Sequence, residues 1–151
     1  MHWRSRLRSN GNPYRGIAAQ TLYGDVEHDL QQNVPVVVLG DFNDEPFDAS
    51  LASLGASRDP RLVLRHPKHR LYNPSWSLSA PTIEAPWARF GSLGHNGRTS
   101  TRYLYDQALT SAHFLDEDAG TIPKANLREL VPDPATGSRI IDHLPLELTL
   151  P

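Results

Sequence analysis

The chain has 151 residues, 38% of them hydrophobic and 21% charged, and a net charge of -2. Those values fit one domain with a sizeable core and give no bulk electrostatic pull toward nucleic acid. The absence of cysteine excludes disulfides and thiolate metal sites. No apolar run approaches the length of a membrane span, and no charged leader with an apolar stretch opens the chain, so no signal peptide is expected. Thirteen prolines and ten glycines point to many loops rather than a helical bundle.

Residues 1–8, Met1-His2-Trp3-Arg4-Ser5-Arg6-Leu7-Arg8, pack aromatic and basic side chains together. A frayed basic terminus is the expectation, with contact to a phosphate as the sharper alternative. Residues 9–13 read as a loop. A helix is predicted from Tyr14 to Gln32, because Ala18, Ala19, Leu22, Val26 and Leu30 recur at spacings of three and four. Asn33 and Pro35 close it. The β-branched run from Val36 to Val38 predicts a buried strand, broken by Gly40. Beyond it, alternation places Asp41 and Asn43 on one side and Phe42 on the other. Two oxygen-bearing side chains at a strand's carboxyl end suit a hard divalent cation or a phosphate. The same residues also suit an ordinary turn. Pro46 opens a short helix from Phe47 to Leu54, stopped by Gly55.

Residues 56–70 read as irregular and basic, with Arg61, Arg65, His66, Lys68, His69 and Arg70. A solvated loop is expected, with contact to a phosphate backbone as the alternative. Residues 71–92 mix aromatics, among them Tyr72, Trp76, Trp87 and Phe90, with turn formers. They suit a lid over a core edge or, less commonly, a surface on which bases stack. Gly91 to Thr101 reads as a turn region and Tyr103 to Thr110 as a strand. Asp106 lies within that strand among apolar neighbours, which disfavours a carboxylate unless it is paired or functional. Residues 111–139 read as a long connection, with Asp116, Glu117 and Asp118 as solvated surface. Leu144, Leu146, Leu148 and Leu150 alternate with polar residues or proline, the period of a half-buried strand, and Asp142-His143 stands just before them.

Asp41, Asn43, Asp106, Asp142 and His143 make a constellation of oxygen ligands and one imidazole. Carboxylates and an amide suit Mg²⁺ or Mn²⁺ rather than zinc. A histidine oriented by a carboxylate is suited to act as a general base on water. The chemistry this suggests is metal-assisted hydrolysis of a phosphoester.

The order His2-Trp3-Arg4-Ser5, Gly40-Asp41-Phe42-Asn43, Tyr105-Asp106-Gln107 and Asp142-His143-Leu144-Pro145 resembles the endonuclease/exonuclease/phosphatase superfamily, the deoxyribonuclease I-like group. The resemblance implies that His2 contacts the scissile phosphate, and that Asp41 and Asn43 bind or orient the nucleophilic water and the phosphate near the metal. It implies that Asp106 orients His143, that Asp142 ligates the metal, and that His143 is the general base or a transition-state phosphate contact. Asp41 and Asn43 would join Asp142 around Mg²⁺ or Mn²⁺, and His2, Asn43 and His143 would meet the substrate phosphate. Ile141 stands where the family usually has Ser or Thr.

The resemblance further implies an α/β fold, a β-sheet layered with helices. Residues 1–151 would form the C-terminal portion of the family domain, half of its four-layer α/β sandwich, with the N-terminal half missing. The metal-binding glutamate belongs to that first half, and Glu27, Glu45 and Glu84 are not assigned to replace it. The expected function is a metal-dependent phosphoester hydrolase, impaired in this truncated form. The alternatives are a non-catalytic phosphate- or nucleic-acid-binding remnant and a half-domain acting with a partner chain. Expected partners are a phosphoester substrate, with nucleic acid one candidate, and either a second copy or a chain supplying the first half. Family members are secreted or cytoplasmic, and nothing in the residues selects a compartment.

Overall fold

The computed structural model describes residues 1–6, 11–79, 92–93, 102–115, 126–129 and 146–150. In chain order its elements are α1 (Gly11–Gln31), β1 (Val37–Asp41), α2 (Ala49–Ser53), β2 (Ala56–Ser57), α3 (Pro60–Arg65), β3 (Leu71–Tyr72), β4 (Ser92–Leu93), β5 (Arg102–Tyr103), β6 (Asp106–Thr110), β7 (Asn126–Glu129) and β8 (Leu146–Thr149). Short 3-10 helices occupy Pro74–Ser79 and Ala112–Phe114. The fold is α/β, as the helix and strand periods require. Its main sheet has the order β1-β6-β3-β2. β6 runs antiparallel to both β1 and β3, while β3 and β2 are parallel, so the sheet is mixed. Two further pairs, β4 with β5 and β7 with β8, are antiparallel.

The helical stripe explains how α1 packs on the sheet. Ala19, Val26 and Leu30 are buried and Ala18 and Leu22 half-buried, against Val38, Leu109 and Leu71 of the strands, Val36 just before β1, Leu51 of α2 and Leu54 at its end. Each fully buried Leu contributes roughly 1.5–3 kcal/mol through the area it removes from water. α1 ends where Asn33 adopts φ 58, a left-handed position that Asn tolerates. Val34 N–H then donates to the Asp29 carbonyl at 3.0 Å. At Gly55, φ is +79 and an added Cβ would meet the His69 carbonyl oxygen at 2.7 Å. Only glycine stops α2 there without strain.

Several expectations are corrected. β1 is not a strand buried on both faces. Among the described residues it is the last strand of its sheet, with Val38 buried and Leu39 52% exposed. Residues 56–70 are not irregular, since β2 and α3 lie within them. Pro60 opens α3, and Asp59 caps it by accepting from Arg61 N–H, the signal of an N-cap followed by proline. The strand from Tyr103 to Thr110 is interrupted at Leu104 and Tyr105. There Leu104 N–H donates to the Glu45 side chain and the Tyr105 carbonyl accepts from Phe42 N–H. The 111–139 connection contains β7, which gives β8 its partner. The predicted turn residues Gly94, Asn96 and Gly97 and the cluster Asp116 to Asp118 lie outside the described residues. No helix among the described residues is long and apolar enough to cross a membrane.

Candidate functional site

Residues 1–3 lie along the outer edge of β1. Asp41 N–H donates to the Met1 carbonyl at 3.1 Å, and Trp3 N–H donates to the Asp41 carbonyl at 2.8 Å. His2 and Asp41 thereby form a parallel bridge. Trp3 is 6% exposed and meets the fully buried Phe42 edge-on, with centroids 4.9 Å apart, a geometry that aromatic quadrupoles favour. Gly40 permits this approach. Its φ is +155, and any Cβ there would strike the Met1 backbone. The expectation of a frayed terminus is therefore overturned: an indole anchored in the core pins this segment.

That docking brings His2 to the end of β1. Its Nε2 lies 3.5 Å from Asp41 Oδ2, and its side chain is 74% exposed, open to a ligand. Asn43 turns back with φ 50. Its backbone N–H donates to Asp41 Oδ1 at 2.8 Å, and its Nδ2 donates to Asp41 Oδ2 and to the Trp3 carbonyl, both at 3.0 Å. Asp106 is the register partner of Asp41 across the β1–β6 ladder. Directly opposed residues of an antiparallel pair share a face, so Asp41 and Asp106 lie on the same face of the sheet. The structure thus gathers His2, Asp41, Asn43 and Asp106. Asp142 and His143 lie outside the described residues.

Beneath this cluster is a buried network that the sequence reading passed over. Asp44, 1% exposed, receives Arg6 Nη2 at 2.8 Å, while Arg15 Nε lies 2.8 Å from the same Oδ1 in an ion pair bent away from hydrogen-bond geometry. Ser50 Oγ donates to the other Asp44 oxygen, and Arg6 also reaches Asp48. Burial works against the Arg6 cation, but the hydrogen bond to Asp44 and the charges of Asp48, Tyr105 and Asp44 hold its pKa above the ordinary value. Gln107 Nε2 donates to the Asp44 carbonyl at 2.6 Å, and its Oε1 accepts from the buried Asn73 at 2.8 Å. The available signal was a carboxylate at 44 and basic residues at 6 and 15, with no period to say that they meet.

Tyr105 flanks Arg6, whose guanidinium lies 5.5 Å from the ring centroid, and stacks on Tyr103 at 5.0 Å. Burial pushes the Tyr105 hydroxyl up to about 12, against the pull of Arg6 and with help from Tyr103, Glu45 and Asp44. A raised pKa means that the folded state holds its proton more tightly. This contribution to stability is complete below about pH 10, the ordinary tyrosine value, and is lost as pH rises toward 12. A phenolate absorbance titration of wild type minus Tyr105→Phe is expected to show one group ionising near the upper value. A difference centred on the ordinary value would refute this.

Mg²⁺ or Mn²⁺ would find oxygen donors in Asp41, Asp106 and Asn43, the appropriate chemistry. Yet both Asp41 oxygens already accept from Asn43. Among the described residues no group of three or more His, Cys, Asp or Glu side chains could hold a metal. This part of the site does not fit the ion by itself, so its residues are considered for what they do directly.

The endonuclease/exonuclease/phosphatase family matches the chain over residues 3–138, a span that includes Trp3, Asp41, Asn43 and Asp106. The chain belongs to this family. Members of the family are generally dependent on a divalent metal. Among curated proteins, alkaline protease 1 of Emericella nidulans is 27% identical over 119 residues, covering 76% of this chain and 27% of that protein. The chain therefore spans about a quarter of that relative's length. Ser111 Oγ lies 3.0 Å from His113 Nδ1, but Ser111 is fully buried and its oxygen accepts from Val36 N–H. That pair presents no nucleophile to a peptide. No solved structure matches the chain significantly.

Proposed function

We propose that the chain is a phosphoester hydrolase of its family, with His2, Asp41 and Asn43 forming the phosphate end of the site. The observation that carries this is the bridge between His2 and Asp41, which sets an exposed imidazole beside a carboxylate held by Asn43. The His2 imidazole is placed to meet the phosphoryl oxygens on which negative charge develops. Asp41 and Asn43 orient the attacking water and the phosphate. Asp106 holds His143, which accepts the proton of that water as general base. Mg²⁺ or Mn²⁺ would be held by Asp142 together with Asp41 and Asn43, and would supply positive charge to the phosphoryl oxygens.

A second reading is a phosphate- or nucleic-acid-binding domain with weak metal affinity and impaired turnover. It draws on the lack of a three-residue metal group among the described residues. Hydrolysis of bis-p-nitrophenyl phosphate and plasmid DNA, with Mg²⁺ or Mn²⁺ and with His143→Ala as control, separates the two. Metal-dependent turnover lost in the variant supports the hydrolase. A rate per chain that climbs with chain concentration would add a second copy to the working site. A folded protein with no turnover above the variant favours the binding domain.

A further inference from the structure

Phe47 follows the Asp44-Glu45-Pro46 turn and is 65% exposed, the most exposed of the large hydrophobic side chains among the described residues. It does not lie alone. Its ring is 6.1 Å from the half-buried Trp76, tilted by 59°, so the two rings meet at an angle rather than stacking on each other. On Trp76 lies the Arg58 guanidinium, 5.4 Å from the ring centroid. A lid over the core would bury its aromatics, as Tyr72 is buried at 9%; Phe47 is turned to solvent instead. Arg58 also opens the basic stretch: Arg61, Arg65 and Lys68 follow it, all exposed. The carboxylate nearest them along the chain is engaged, Asp59 capping α3. The result is a local positive strip on a chain of net charge -2, adjoining an aromatic pair.

Flat apolar faces beside cations match a polyanion that carries flat apolar groups along its length. That is the chemistry of single-stranded nucleic acid, whose bases stack on aromatic rings while basic side chains follow the phosphates. The position agrees. The four-residue step from Asn43 to Phe47 spans at most about 14 Å, a distance that a short stretch of extended single strand covers. A phosphate at His2 and Asn43 would therefore leave neighbouring bases within range of Phe47. A lipid surface is the weaker match, because one exposed ring offers little area for insertion.

We propose that Phe47 and Trp76, with Arg58, Arg61, Arg65 and Lys68, form a stacking platform for the bases of a single-stranded polynucleotide bound across the phosphate site. This inference rests on the phosphoester reading of that site. The test is fluorescence anisotropy of a fluorescein-labelled oligodeoxythymidylate with the full chain in EDTA, where turnover does not intrude. Phe47→Ala and Trp76→Ala are each expected to weaken binding by about 5- to 150-fold. Phe47 is so exposed that its variant should fold, and Trp76→Phe should restore much of the affinity lost in Trp76→Ala. Arg61→Ala should lower the slope of log affinity against log salt by about 0.7. An abasic strand of equal length should bind wild type no better than the intact strand binds Phe47→Ala. The platform is overturned if either alanine variant binds as wild type does, if the abasic strand binds equally well, or if anionic phospholipid vesicles rather than the oligonucleotide show the Phe47 dependence. Ring-dependent binding without hydrolysis would support the platform and count against the hydrolase. Hydrolysis of bis-p-nitrophenyl phosphate with ring-independent oligonucleotide binding would do the reverse.

Discussion

Asp44→Ala is expected to cost about 3–5 kcal/mol of stability, because it removes one member of a buried charge network and leaves the others in place. Arg15 is 4% exposed, and its remaining hydrogen bond runs from Nη1 to the Arg4 carbonyl at 3.3 Å. Without Asp44 the cation stays buried against one neutral acceptor among the described residues. Arg6 would lose a two-pronged contact, Nε at 3.1 Å and Nη2 at 2.8 Å, and Ser50 Oγ its acceptor. The loss is a large share of the roughly 5–15 kcal/mol by which a typical domain is stable, and should lower Tm by about 10 °C in a chain of this size. Asp44→Asn keeps the shape and an acceptor for Ser50 while removing the charge, so its effect should be intermediate. Adding Arg15→Leu to Asp44→Ala should recover part of the loss, since a paired replacement leaves no buried cation. Thermal melts followed by far-ultraviolet circular dichroism measure all three. An Asp44→Ala melt within a degree or two of wild type would show that the network is incidental.

The network shows why some of the site was legible in the residues and some was not. The strand into Gly40 and the stripe on α1 are local periodicities, and both stand in the structure. Asp41 and Asn43 were found because two residues of extended chain put them on one side. That Asn43 donates to Asp41 through both its backbone and its side chain follows from a left-handed turn, which composition permits but does not require. Arg6 and Asp44 are 38 residues apart, and no period or cap connects them. The docking of residues 1–3 on β1 and the packing of Trp3 on Phe42 bring them together. The same holds for Asn73, Gln107 and the Asp44 carbonyl, three segments joined by two hydrogen bonds. α3 was a different kind of miss. Its start, Asp59-Pro60, is a local signal that was outweighed by the basic run behind it. β7 has only four residues, too few for alternation to stand out. Asp142 and His143 remain assigned through the family resemblance rather than by geometry.

His2→Ala is expected to lower kcat for a phosphodiester by about 100-fold, with Tm changed by no more than a degree or two, if His2 serves the developing phosphoryl charge as proposed. The separation of the two effects follows from where the residue holds and where it does not. The backbone of residues 1–3 supplies the docking hydrogen bonds, and Trp3 supplies the buried surface. The His2 imidazole is mostly in solvent and approaches the protein at Asp41. Removing it therefore takes away an outward-facing imidazole without opening a cavity. Asn43→Ala should behave differently. It removes one of the two donors that Asn43 gives Asp41, and the side-chain donor to the Trp3 carbonyl. It also places alanine at φ 50, where Asn is better tolerated. That variant should lose both rate and stability, the latter by about 1–3 kcal/mol. Steady-state kinetics beside thermal melts distinguish the two. A His2→Ala enzyme with wild-type kcat would remove His2 from the site. A rate loss matched by a fall in Tm as large as that of Asn43→Ala would make it a structural residue of the edge it lines.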